Sequence, residues 1–166
     1  MTMTTAQIAT RLAELCRQGE FEAAQKELFA ETAVSIEPEA TESFARETKG
    51  LRAIIEKGHK FESMVEKVHG CSTSAPLVAG NAIAFTLTMD VTMKGRGRVK
   101  LEEICAYEVK DGKIVSEQFF MQFDVCHTRA GDSPARPQPK DYPAALKIRV
   151  PAFLRGNPSE VWRVPS

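Results

Sequence analysis

The sequence predicts an α+β fold, with helices first and antiparallel strands after them. Two observations carry this. Apolar residues recur at helical spacing through most of the first 68 residues, and from residue 69 onward the apolar period drops to two. A third observation sets the extent of the folded unit: seven of the nine prolines lie at 134, 137, 139, 143, 151, 158 and 165. Proline fixes φ and removes a backbone donor, so that stretch cannot be a regular helix or an inner strand.

In chain order, Ile8, Leu12 and Leu15 fall on one helical face with Cys16 at its edge, and Gly19 follows as a stop signal. A second, short helix over 20–29 would bury Phe21, Ala24 and Leu28. AVSIEP at 33–38 reads as a short strand ended by Pro38, followed by a loop over 39–49. Residues 51–68 put Leu51, Ile54, Gly58, Phe61, Val65 and Val68 on one stripe, which predicts a third helix.

The segment 69–77 is expected to add an edge strand. Ile83, Phe85, Leu87, Met89, Val91 and Met93 then alternate with smaller or polar residues in a long half-buried strand. GRG at 95–97 makes a turn, and the alternation resumes at 98–109 through Val99, Leu101, Cys105, Tyr107 and Val109. Asp111-Gly112 supplies a tight hairpin turn, since both residues accept positive φ. A last strand over 113–123 completes a three-stranded meander, and this order places the helices on one face of the sheet. The folded domain is expected over 1–123 and an extended tail over 124–166, with Phe153, Leu154 and Trp162 as its apolar points.

Composition narrows the function. At 166 residues and 18.3 kDa, the length fits one domain, and 43% hydrophobic with 27% charged residues fits a packed core rather than general disorder. Lys+Arg and Asp+Glu balance at 22 each, so the broad cationic footprint of a nucleic-acid binder is missing. The balance is uneven along the chain: 15 basic and 18 acidic residues in 1–123, 7 and 4 in 124–166. No apolar run approaches the roughly 20 residues of a membrane-spanning helix. MTMTTAQIATRLAELC has neither a basic start nor a continuous apolar stretch, so it does not read as a secretory signal. The four cysteines (16, 71, 105 and 126) show no CxxC spacing and read as reduced thiols, which points to the cytoplasm. The histidines show no zinc-ligand spacing, and KGRGR lacks the Lys-Ser/Thr ending of a phosphate loop, so neither metal nor cofactor is expected.

Two carboxylates stand out within the strands. Glu103 is the only charge on the face formed by Val99, Leu101, Cys105, Tyr107 and Val109, and Glu117 shares a face with Val115, Phe119, Met121 and Phe123. An isolated buried charge is very costly, so each must be paired, neutralised or functional. If both point inward, like charges would raise one pKa. Alternatively they lie at a sheet edge or dimer interface, paired with Arg96, Arg98 or Lys100. Phe61, Phe85, Phe119 and Met121 form core, or line an apolar pocket if the sheet stays open; Tyr107 is either ordinary packing or a hydroxyl offered from the sheet.

The ordered set GEFEAA, LFAETAVSIEP, ETKGLRAIIE, a long strand pair and YEVKDGKIVSEQFF resembles the SnoaL-like branch of the nuclear transport factor 2-like superfamily over roughly residues 5–123. The resemblance implies a cone whose curved antiparallel sheet wraps three N-terminal helices around a mostly apolar pocket, and often a homodimer paired through the sheet. It implies a hydrophobic small molecule as the ligand. It also implies a role for Glu37, which holds the acidic position before proline that is the general base in the family's isomerases; the other reading leaves Glu37 solvated or paired with a Lys or Arg at the pocket mouth. The isomerases' oxyanion tyrosine falls here at Leu12, and their assisting aspartate near Ile104 or Cys105, so a true steroid isomerase is not expected. An isomerase, cyclase or dehydratase using Glu37 with Glu103 or Glu117 stands beside a non-catalytic ligand-binding or dimerising module.

Overall fold

The computed structural model describes residues 2–121, so the tail expected over 124–166 and the strand end at Phe123 lie outside the described residues. The first helix, α1 (Thr5–Gln18), starts in a capping box: the Thr4 hydroxyl accepts from the Gln7 amide while the Gln7 side chain accepts from the Thr4 backbone N–H. It ends at Gly19, whose φ of 77° is open to glycine at no steric cost. Ile8, Leu12, Leu15 and Cys16 are buried, as their spacing requires. Next come α2 (Phe21–Leu28) and β1 (Phe29–Ile36), a strand that begins four residues before AVSIEP.

The segment read as a loop contains a short strand, β2 (Glu47–Lys49), paired antiparallel to β1. Helix α3 (Leu51–Met64) is shorter than the stripe predicted. Val65 and Val68 leave it for β3 (Val65–Thr73), which pairs antiparallel with β5 (Ala82–Met93). The stripe misled because valines at 65 and 68 continue a helical spacing by coincidence, while their branched side chains favour extended backbone and β5 offers a long ladder to pair with. Val68 is correspondingly 62% exposed. The expected edge strand over 69–77 is thus divided between β3 and a three-residue strand, β4 (Leu77–Ala79), which also pairs with β5.

The hairpin β5–β6 (Gly97–Lys110) matches its alternation closely, with Ile83, Phe85, Leu87, Cys105, Tyr107 and Val109 inside. The turn at Asp111 and Gly112 takes φ of 51° and 73°, and leads into β7 (Lys113–Phe120). A register shift opposite Glu108 and Val109 places Ile114, not Val115, in the core. That one-residue bulge corrects the face expected for Val115 while leaving Glu117 inward.

The seven strands form one open sheet in the order β2-β1-β7-β6-β5-β3, with β4 beside β5. It is antiparallel except where β1 runs parallel to β7, a contact between chain-distant strands that no local pattern encodes. Helix α1 packs on β3, β4 and β5, while α3 packs on β1 and β2, giving the α+β cone. A single cluster running from Ile8 and Leu12 through Leu28 and Ile54 to Phe85, Tyr107 and Ile114 forms the core. No helix of the described residues is long and apolar enough to cross a membrane.

Candidate functional site

The site begins with strand registers. Parallel pairing sets Ser35 of β1 beside Glu117 of β7, and antiparallel pairing sets Tyr107 of β6 beside the same Glu117. Glu103 sits two residues before Cys105 on the same inward face of β6, opposite Leu87. Above these strands, α3 lowers Lys57. Its Nζ donates to a Glu37 carboxylate oxygen at 2.6 Å and to the Ser35 hydroxyl at 2.5 Å, lies 4.0 Å from Glu117, and stands 5.2 Å over the Phe119 ring. Ser35 in turn hydrogen-bonds the Glu117 carboxylate. Two carboxylates and one ammonium are therefore gathered at one point of the cone, and Glu103 is near enough to feel their charges.

The two inner carboxylates are held away from their ordinary behaviour. Burial raises the pKa of Glu117, and the negative charge of Glu37 adds to this, against the opposing pull of Lys57 and the Ser35 hydrogen bond. Burial likewise pushes Glu103 up to about 7, with Glu37 and Glu117 contributing, while a 3.5 Å contact from the Cys105 thiol opposes it. Tyr107 is buried, stacked on Phe85 at 5.5 Å and met edge-on by Phe29 at 6.4 Å, and its phenol is held well above its usual value by burial.

Glu37 lies at the outer end of the group, on the lip of an open cleft of about 440 Å³ lined also by Pro38, Arg46, Gln118, Phe119, Phe120 and Met121. Of the residues named from sequence, Glu37 and Glu117 meet at Lys57, and Glu37, Phe119 and Met121 line the cleft, while Glu103 touches Cys105 instead. Leu12, Phe85 and Tyr107 are instead packed in the core, and Phe61 is half-buried on α3; none of these four lines the cleft. α1 packs against β3, β4 and β5, and Leu12, Phe85 and Tyr107 join the one close-packed cluster that this packing buries. Arg98 does not serve the glutamates: it forms a two-bond pair with Asp90 at 2.8 and 2.6 Å. His59 bonds Glu22 at 2.9 Å on the surface, and His69 bonds Thr92, so neither joins the site.

Sequence reading overlooked Lys57 and Ser35. The signal was present: Lys57 is three residues after Ile54 and four before Phe61, within the buried stripe of α3, where a lysine needs a carboxylate to meet.

The shifted Glu103 has a measurable consequence. Its neutral form is favoured in the folded state, so its contribution is intact below the unfolded value near 4.5 and is lost as pH rises through about 7. Glu103→Gln is expected to match the parent protein at pH 4.5 and to be more stable at pH 8, by about 2 kcal/mol after allowance for partial exposure. Urea unfolding at the two pH values reads this directly; equal stability at pH 8 would show that Glu103 is not desolvated.

From residue 3 to residue 121 the chain matches the model of the SnoaL-like domain. A candidate SnoaL-like polyketide cyclase, also described as a carbohydrate phosphatase, from Mesorhizobium loti is 35% identical, with a TM-score of 0.64 over 71% of this chain and 99% of that one. A nuclear transport factor 2-like protein from Burkholderia thailandensis (17% identity, TM-score 0.61, 72% and 92% covered) shares the fold. So does a candidate isomerase from Bacillus subtilis (19% identity, TM-score 0.57, 72% and 90% covered). Among curated proteins none matches the chain. The family match over the whole helix-and-sheet unit makes the protein a member of the SnoaL-like domain family, with the fold of nuclear transport factor 2-like proteins.

Proposed function

We propose that the protein is an acid–base enzyme of the isomerase, cyclase or dehydratase kind, acting on a hydrophobic small molecule seated in the cleft. The observation that supports this most is the 2.6 Å contact between Lys57 and Glu37 at the cleft lip, with Glu117 and Glu103 behind it. In this reading Glu37 removes a proton next to a carbonyl. Lys57, released from the ion pair, then faces the oxygen on which negative charge develops, standing in for the oxyanion tyrosine that Leu12 replaces. Burial raises the pKa of Glu103 and of Glu117, which suits either of them to return a proton.

The test uses 2-tetralone, an apolar enolisable ketone, incubated with the full chain in deuterium oxide. Incorporation of deuterium beside the carbonyl above the buffer rate is expected. Incorporation no faster than in buffer would exclude this chemistry for enolisable ketones. A second reading, a binding module that leaves its ligand unchanged, is favoured by one feature: Glu37 is already held by a cation. It predicts a raised melting temperature with 2-tetralone recovered unaltered.

We further propose that two copies pair through the outer sheet face, where Ile104 and Phe120 lie opposite each other on β6 and β7 and are 49% and 51% exposed. Light scattering is expected to give twice the 18.3 kDa chain mass; the mass of one chain would dismiss the pairing. The free thiols Cys16, Cys71 and Cys105 suit a reducing compartment, supporting a cytoplasmic location; a stable disulfide in the protein isolated from cells would count against it.

A further inference from the structure

The cleft contains a cation that the acid–base group does not use. The backbone N–H of Glu37 donates to the Arg46 carbonyl at 2.8 Å, continuing the β1–β2 ladder one pair beyond Ile36 and Glu47. Residues directly opposite in an antiparallel ladder share a face, with Cβ atoms about 5 Å apart. Arg46 is therefore the natural partner for the Glu37 carboxylate, yet that carboxylate is engaged by Lys57 from α3 instead. Among the described residues no carboxylate pairs with Arg46, Arg17 or Arg96, whereas Arg11, Arg52 and Arg98 each have one; of the three without one, Arg46 is the residue that lines the cleft. Arg46 lines the cleft, where Phe119 and Met121 supply the apolar surface.

A planar five-donor cation beside an apolar floor is matched by a flat hydrophobic body ending in a carboxylate. The volume of about 440 Å³ suits a molecule of two or three fused rings, within the usual range for ligand sites. We propose that Arg46 is a specificity-determining residue, binding the carboxylate of an aromatic or polycyclic acid whose apolar body lies on Phe119 and Met121. This names the substrate class for the site proposed above and rests on that reading for placing the ligand's reactive carbon against Glu37. The arrangement also orders the ligand, since its anionic end goes to Arg46 at the lip and away from Glu103 and Glu117, neither of which lines the cleft.

The experiment is a calorimetric titration of the full chain with 2-naphthoate and with its neutral counterpart 2-naphthamide, with amide NMR shifts locating the contact. Naphthoate is expected to bind about tenfold more tightly than naphthamide, with shifts at residues 46 and 119–121. Arg46→Gln is expected to erase that preference and Arg46→Lys to recover part of it, while Glu37→Gln leaves it in place or enlarges it. Because Arg46 is exposed, the variants test binding without disturbing the core. Equal affinities for the two probes, an undiminished preference in Arg46→Gln, or shifts confined to another surface would each overturn the assignment. Failure of deuterium exchange with an intact naphthoate preference removes the catalytic reading alone; exchange without the preference removes Arg46 alone.

Discussion

Glu37→Gln is expected to lower deuterium exchange into 2-tetralone by a factor of about 10² to 10⁴, the usual contribution of a positioned general base. The variant should remain folded, because Gln retains an oxygen to accept from Lys57, which keeps its bond to Ser35 and its proximity to Glu117. The side chain is also 25% exposed, so removing its charge costs little in desolvation terms. The diagnostic combination is a collapsed exchange rate with a melting temperature within a few degrees of the parent. Exchange within twofold of the parent rate would shift the role to Glu117 or Glu103, whose carboxyls lie deeper but on the same cluster.

Lys57→Met should produce the largest loss of stability. Methionine preserves most of the stem volume, so the change isolates the ammonium. Removing one partner of a buried ion pair leaves an uncompensated charge, and here the single cation serves Glu37 and the buried Glu117 together, with 15% of its side chain exposed. A loss of about 3 kcal/mol at pH 8 follows, toward the lower end for such pairs because Glu37 reaches solvent. The sign with pH is defined by Glu117, whose folded pKa is already raised and rises further once Lys57 is gone. The penalty falls on the ionised carboxylate, so it is greatest above the folded pKa and shrinks as pH falls and the group takes up a proton. Urea unfolding at pH 5 and pH 8 should therefore show the variant and parent converging at the lower pH. A gap that is equal at both values would mean lost packing rather than an orphaned charge.

These two variants turn on a feature that sequence reading reached only in part. Glu103 and Glu117 could be singled out because a charge on an otherwise apolar strand face is energetically conspicuous. Glu37 stood out through its place before Pro38 in a segment resembling the family. Their common partner was sought in Arg96, Arg98 and Lys100, the basic residues nearest in sequence to Glu103, but Arg98 is consumed by Asp90 across the β5–β6 hairpin. Lys57 comes from a helix 46 residues before Glu103, and only its position inside the stripe of α3 marked it. The pocket residues divided for a similar reason. Phe119 and Met121, near the end of β7, reach the cleft; Leu12, Phe85 and Tyr107 have the same apolar character but are buried together in the core cluster between α1 and the sheet.

The elements themselves were largely decided by the sequence: the period of 3.6 in α1, the alternation of β5 and β6, the stop at Gly19 and the turn at Asp111-Gly112 are local signals that need no distant contact. Where the chain departed from that reading, long-range pairing prevailed. β3 took Val65 and Val68 from the helix because β5 offered them a ladder, and the bulge in β7 exchanged Val115 for Ile114. The parallel contact of β1 with β7 is the decisive case. It joins residues about 80 positions apart, and by setting Ser35 beside Glu117 it creates the place where Lys57 is held. Periodicity reports which side of an element is apolar, but which charged groups meet depends on strand order and register, and these are settled only when the sheet assembles.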